Sequence, residues 1–372
     1  RDKLVTGVQT CALPILAKME RQNYDNVVKF FVSVIGIIFI LAVLKELQAL
    51  FIPFVIAYFL FFIFHPVNIY FEKKKVPQVV TIILDVVLMA LIIWGLTSLV
   101  LGSVYQINLE LPFYITKINQ IVSNAAISLG VKDKAYTEFQ IDQLFLLIDF
   151  SAIAESFLNS TLSFITTVGL VLFFFIFISS GHDKIYEALR KRFEEKDLEK
   201  KEENPSQIFN IKDTFNHIVH QVQKYILTKF LISLVTGIII GFVLYLFNVK
   251  FFFIWALLTV FLNFIPNFGS IIAVLFPALM SLIQFDSFGY SLLILGIMIV
   301  IQNIIGNILE PKIFGSSLGI NPIVILISLI VWGYIWGIVG MFLSVPLTAI
   351  LKISLSGTKS PNLRLISDLM SN

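Results

Sequence analysis

Asn303, Gly306, Asn307 and Glu310 fall at i, i+3, i+4 and i+7 between two long apolar runs. On a helix that spacing gathers two amides and a carboxylate on one face. Gln302 precedes them, and Pro311 follows immediately. Pro311 lacks a backbone donor and restricts Glu310, so the helix is expected to end or kink beside the carboxylate. An amide or hydroxyl left unpaired in an apolar medium costs ~2–7 kcal/mol, so such a stripe belongs against partners or a wet cavity. Its chemistry is recognition and passage of a polar solute, with Glu310 carrying charge or a proton. No nucleophile–base pair and no metal cage is present in it.

A second polar interruption lies at Asn263, Pro266, Asn267 and Gly269. The apolar runs on either side are short for full crossings at ~1.5 Å per residue, which favours a re-entrant tip with half-helix ends. Half-helix ends can bind polar solutes. Asp85 stands six residues inside another apolar run, either as a coupling carboxylate or as an ordinary interfacial acid. His217 and His220 lie in a charged segment without cysteine partners, which makes a poor metal set. No Ser/His pair or HExxH motif falls in an apolar run, so an intramembrane enzyme is not expected. No cofactor is implied.

The elements that must carry these residues follow from composition. The chain has 372 residues, of which 58% are hydrophobic and 14% charged, with a mean hydropathy of +0.91. Soluble domains carry roughly a quarter charged residues. The apolar stretches are long runs rather than short alternating segments, which selects helices over a barrel. The expected class is an all-α polytopic membrane protein of about eight segments, with broken or re-entrant helices in its C-terminal half. A net charge of +3 and the absence of a basic, aromatic-interleaved soluble face argue against nucleic acid. The single cysteine, Cys11, excludes an intrachain disulfide.

Residues 1–15, RDKLVTGVQTCALPI, resemble a translated adapter peptide, and Met19 is a natural internal start. The competing signal-peptide reading is weakened by the polar, broken run from Thr6 to Pro14. Residues 27–104 hold the first membrane spans, 105–155 an extracytoplasmic helical segment, and 157–179 a further span. Residues 181–224 form a charged cytoplasmic segment, and 225–353 the C-terminal transport core. Loop 71–78 holds three Lys, segment 181–224 nine Lys/Arg, and segment 105–155 only three Lys. Basic residues favour the cytoplasmic side, which sets this orientation. The span count closes if the broken runs 251–284 and 321–352 each return to the side they entered.

The motifs Asn263-Phe-Ile-Pro-Asn-Phe-Gly, Gln302-Asn-Ile-Ile-Gly-Asn-Ile-Leu-Glu-Pro-Lys and Leu318-Gly-Ile-Asn-Pro resemble the autoinducer-2 exporter (AI-2E) family of bacterial permeases. So do the run from Trp332 to Pro346 and the Phe51-Ile-Pro-Phe-Val-Ile-Ala run. The resemblance covers about Val27 to Ile353. It implies a multi-pass bacterial inner-membrane transporter, linked to export of the quorum-sensing signal autoinducer-2 and, in other members, to sodium–proton exchange. The implied partners are membrane lipid, a small polar solute, and a proton or sodium ion for coupling. A homo-oligomer is left open, as are an antiporter and a non-transporting scaffold. No G-x-x-x-x-G-K-[ST] motif is present for ATP.

Lys134→Cys and Lys196→Cys, each in a chain lacking Cys11, test the orientation. Impermeant thiol reagent on intact cells should label only the former; the reverse pattern would invert the topology.

Overall fold

A computed structural model of the chain describes residues 28, 31–128, 130, 163–182, 184, 187–188, 191, 211–314, 319–356 and 361–371. Residues 1–15, and most of 129–162 and 183–210, lie outside that set. Two units are distinguished, 1–51 and 52–372. The described part of the first is helix α1, 31–46, and the opening turn of α2, Gln48–Lys73, which continues into the second. The second unit continues with α3, Gln78–Ser128, α4, Ser163–His182, and α5, Ile211–Leu246. Helices α6, Phe252–Leu262, α7, Phe268–Phe285, and α8, Phe288–Asn303, follow. The chain then runs through a π-helical stretch, Ile304–Leu309, into α9, Glu310–Phe314. It ends with α10, Pro322–Ser356, and α11, Pro361–Leu369.

Seven of these helical stretches are long and apolar enough to cross a bilayer. Large apolar side chains such as Trp94, Phe242 and Ile338 are exposed on their outer faces. A soluble monomer would bury such a surface, whereas lipid covers it here. Among the described residues, one isolated bridge, Ile320 to Ser371, is the only β contact. The fold is therefore all-α and polytopic. Helix α3 has 51 residues, about 76 Å at 1.5 Å per residue. That is more than twice a ~30 Å hydrocarbon layer, so its last turns stand beyond the membrane. The helix does not break at residue 104, and the segment from 105 opens as its direct continuation.

Both broken runs are helical hairpins. Helix α6 has only 11 residues, about 16 Å of rise and half a hydrocarbon thickness. The chain turns at 263–267, and α7 brings it back beside α6, with Trp255 stacked on Phe276 at 6.4 Å. Gln284 closes the base: its Oε1 accepts from the Lys250 N–H at 2.8 Å, and its Nε2 donates to Asn248 O at 2.7 Å. A Cβ on Gly269 would sit 1.6 Å from Leu262 O, so only glycine lets the two arms meet behind the tip. Helix α10 reverses at Trp336 and Gly337, where the backbone leaves helical geometry. Beyond the reversal, a Cβ on Gly340 would lie 1.9 Å from Trp332 O. In a continuous helix, residues eight apart are about 12 Å apart. At the base of this second hairpin Lys352 Nζ donates to Gly319 O at 2.6 Å.

The two hairpins have their bases at opposite ends of the α5–α8 pair. The Tyr290 hydroxyl donates to Phe247 O at the first hairpin's base, at 3.2 Å. At the other end the Tyr225 ring packs at a tilt against Phe314, just before the second hairpin begins. Between these ends Ile240 and Leu244 of α5 pack on Val274 of α7 and on Ile294 and Met298 of α8. Gly237 and Gly241 bring α6 close to α5, where Cβ atoms would meet Val260 and Ala256. Such close packing drives helix association in lipid, where apolar burial alone gives little.

Helix α3 clamps the first hairpin from outside the membrane-length apolar stretch. Glu110 pairs with Lys250 at 2.6 Å and Lys117 with Asp286 at 3.0 Å, one at each end of the hairpin base. The Lys250 ammonium, followed by the Tyr114 hydroxyl, holds the Glu110 carboxyl below the usual glutamate range. A depressed carboxylate contributes stability above its unfolded pKa and loses it as pH falls through the folded value. The clamp should therefore be intact at neutral pH and release only in acid below the ordinary glutamate range.

Gly269→Leu and Gly340→Leu should each destabilise the purified protein by at least the ~1–3 kcal/mol typical of overpacking, read as a fall in thermal unfolding temperature in detergent. Gly289→Ala, whose Cβ would meet nothing within 4 Å, should leave it unchanged or slightly raised. Equal behaviour of all three would contradict the close approach in both hairpins.

Candidate functional site

The first hairpin's tip and the π-helical stretch line one cavity of about 690 Å³. Asn263, Pro266 and Asn267 come from the tip, and Gln302, Asn303, Gly306, Asn307 and Glu310 from the other wall. Gly269 sits behind the tip, and Pro311 is exposed; neither lines the cavity.

The wall around Glu310 differs from the expected break. The helix neither ends nor stops at Pro311; it runs on to Phe314. The Glu310 N–H reaches back five residues to Ile305 O. In an α-helix the Pro311 ring would clash with the carbonyl four residues earlier, and the wider π turn relieves that contact. Along this wall the Asn307 amide donates to Asn303 Oδ1 at 2.8 Å, and the Asn303 amide donates to Ile299 O at 2.9 Å. Gln302 is buried, and its Nε2 has no partner among the described residues.

The tip is built on an uncommon turn. Asn267 has φ 61° and ψ −53°, and the Phe268 N–H donates to Pro266 O at 2.7 Å across it. This is the γ-turn of positive φ, which is rare and strained. The Asn267 side chain does not cap α7, so its amide and the positive end of the α7 dipole both border the cavity. Asn263 is buried, its amide 3.4 Å from the Ser233 hydroxyl of α5.

Two cavity residues were not anticipated. Lys229 of α5 is buried and pairs with Glu310 at 2.5 Å, with side chains only 9% and 19% exposed. Tyr225, one turn earlier, lines the same wall. The signal was available: Lys229 is the one charged residue in the run 225–247. Ser233 and Thr236 follow it at i+4 and i+7, and both are buried. Removing one member of a buried pair leaves an uncompensated charge and costs about 3–5 kcal/mol.

Asp85 lies elsewhere. It is fully buried on α3 facing Asn68 of α2, one turn from Thr81. Thr81, Asn68 and Ser179 border a separate cavity of about 150 Å³. Beyond the tip, three rings meet. Phe264 lies 4.2 Å from Phe342 of the second hairpin, and both pack on Phe59 of α2 at 5.5 and 5.2 Å.

A protein-family profile described as AI-2E family transporter matches residues 32–359. The AI-2 transport protein TqsA of Escherichia coli K12 is 29% identical over 342 residues, covering 90% of this chain and 93% of that protein. A Borreliella burgdorferi protein, named provisionally as a transport protein, is 32% identical over 329 residues, 87% of this chain and 85% of its own length. Another E. coli protein, YhhT, likewise provisionally named for transport, is 40% identical over 138 residues, 37% of this chain and 39% of its own length. The profile runs from α1 through both hairpins, and the chain belongs to the AI-2E family of membrane transporters.

Proposed function

We propose that this transporter is a secondary exporter of a small polar solute in the bacterial inner membrane, with an autoinducer-2-like molecule as its first candidate substrate. The observation that carries the reading is the cavity of about 690 Å³, walled by five amide side chains beside the Lys229–Glu310 pair. Small-molecule sites occupy roughly 300–1,000 Å³, so the volume suits a compact solute. Amides offer both donors and acceptors, which replace the water bonds of a hydroxylated molecule. A typical hydrogen bond contributes only about 0.5–1.5 kcal/mol net, which keeps binding reversible as transport requires. The relative named for AI-2 transport supports the substrate class.

The path needs two closures that do not open together. The Phe264–Phe342 contact closes the deep end, where the two hairpins meet. The opposite end lies by Glu310, Phe314 and Gly319, which the distribution of basic loops assigns to the cytoplasm. A solute would enter there, displace water along the Asn303–Asn307 wall, and leave when the hairpins part. Rocking of one unit against another around a fixed midplane site is the common arrangement for broken-helix transporters. Lacking an ATP motif of its own, the chain would draw on an ion or solute gradient.

Flux in reconstituted liposomes, measured against a panel of small polar solutes that includes autoinducer-2, tests the reading. Lys229→Glu and Glu310→Lys should each lower flux about tenfold or more, a loss of ~1.4 kcal/mol in the transport step. The two together should recover part of it. Asn307→Ala should lower flux a few-fold at unchanged protein level. Full flux in all the single variants would remove the cavity from the path.

A second test addresses the closure. Phe264→Ala with Phe342→Ala should raise passive leak of a small polar solute without a gradient. An unchanged leak would mean that the rings do not close the path.

A further inference from the structure

Helix α11, Pro361–Leu369, lies beyond the family match, which ends at residue 359. It packs on the base of the second hairpin with one side. Ser367 is 2% exposed, and its hydroxyl donates to Lys352 O at 3.1 Å. Just past the helix, Met370 O accepts from the Asn321 N–H at 2.9 Å, and Ser371 forms the bridge to Ile320. Ile320 and its neighbour Gly319 both line the solute cavity.

The other two sides differ in chemistry. Leu365, Ile366 and Leu369 are 58%, 46% and 69% exposed. At 100° per residue they share one flank, while Arg364 and Asp368, four apart, share another. The helix is therefore divided into a protein face, an apolar face and a polar face. Its level is fixed by the contact to Lys352, the first charged residue after the apolar end of α10. Ile350 and Leu351, just before it, are exposed as well. The bare flank of α11 thus continues the lipid-covered surface of α10 at the point where apolar residues give way to charged ones. Three large apolar side chains beside a polar face are the pattern of a helix lying in the membrane surface.

We propose that α11 is an interfacial helix, with Leu365, Ile366 and Leu369 in the acyl boundary of the bilayer. Through Ser367, Met370 and Ser371 it seats residues 319–321, and so holds one wall of the cavity in register with the membrane surface. The importance of that wall for a solute rests on the function proposed above; the seating itself does not. The occupant of the flank is lipid. A second copy of the chain would need a facing apolar patch at the same level, whereas the bilayer boundary is already there.

The test reads position rather than transport. Arg364→Cys, Leu365→Cys, Asp368→Cys and Leu369→Cys, each without Cys11, would be spin-labelled. They would be reconstituted in phosphatidylcholine–phosphatidylglycerol vesicles. Labels at 365 and 369 should collide mainly with oxygen, and labels at 364 and 368 mainly with a water-soluble nickel complex. Equal nickel access at all four overturns the proposal in favour of a solvated helix. Labels at 365 and 369 shielded from both reagents overturn it in favour of a protein partner. A label on Ile320→Cys reads the seating. Leu365→Ser with Leu369→Ser should increase its mobility severalfold, and Leu365→Ile with Leu369→Ile should not. Unchanged mobility in the serine pair overturns the seating.

Discussion

A backbone inside hydrocarbon must satisfy every N–H and C=O within the protein, and this one constraint organises the molecule. Continuous helices meet it without help. The interruptions at 263–267 and at Trp336–Gly337 each fall where two hairpin arms close on one another. Gly269 and Gly340 admit a neighbouring carbonyl that any side chain would push away. The π turn before Pro311 answers the same demand differently, by widening the helix past the proline rather than breaking it. Irregular backbone is tolerated at membrane depth where it lines a cavity, and the cavity lies against the first break and the π turn.

Charge follows from that arrangement. The Lys229–Glu310 pair is nearly out of contact with solvent, so losing either member leaves a bare ion in a low-dielectric wall. The pairs Glu110–Lys250 and Lys117–Asp286 are far more open, with side chains 25–47% exposed. Exposed pairs are worth only about 0.2–1 kcal/mol each and weaken with salt. Their role is geometric: they tie the two ends of one hairpin to a helix long enough to reach past the membrane. The inner pair stands in the cavity wall, and the outer pairs stand at the base of the first hairpin.

The motifs that carry the family resemblance acquire physical meaning in this frame. In Asn263-Phe-Ile-Pro-Asn-Phe-Gly, the first amide reaches toward Ser233 and Phe264 meets Phe342. Asn267 forms the γ-turn, and Gly269 lets the arms touch. In the Gln302–Lys312 stretch the two asparagines hydrogen-bond to each other, and the proline sets the π turn. Each motif is a solution to turning or widening a chain within apolar surroundings. Transport needs such places, because a span without them offers a solute nothing to bind.

The membrane class, the helical solution and the positions of the breaks were legible in the sequence. Each depends on local hydrophobicity and on residues such as Pro266 and Gly337 that act on their own backbone. The polar stripe was legible for the same reason, although its helix proved to continue past Pro311. Lys229 was visible as a lone charge in an apolar run, but its partner was not: Glu310 lies 81 residues away. Local spacing also could not place Asp85 apart from the cavity at the hairpin tip, or show that α3 extends to clamp a hairpin more than 130 residues further on. Hydrophobic pattern reports how each segment relates to its solvent. Which segments then face one another is set by packing among helices equally content in lipid, and only the tertiary structure decides that.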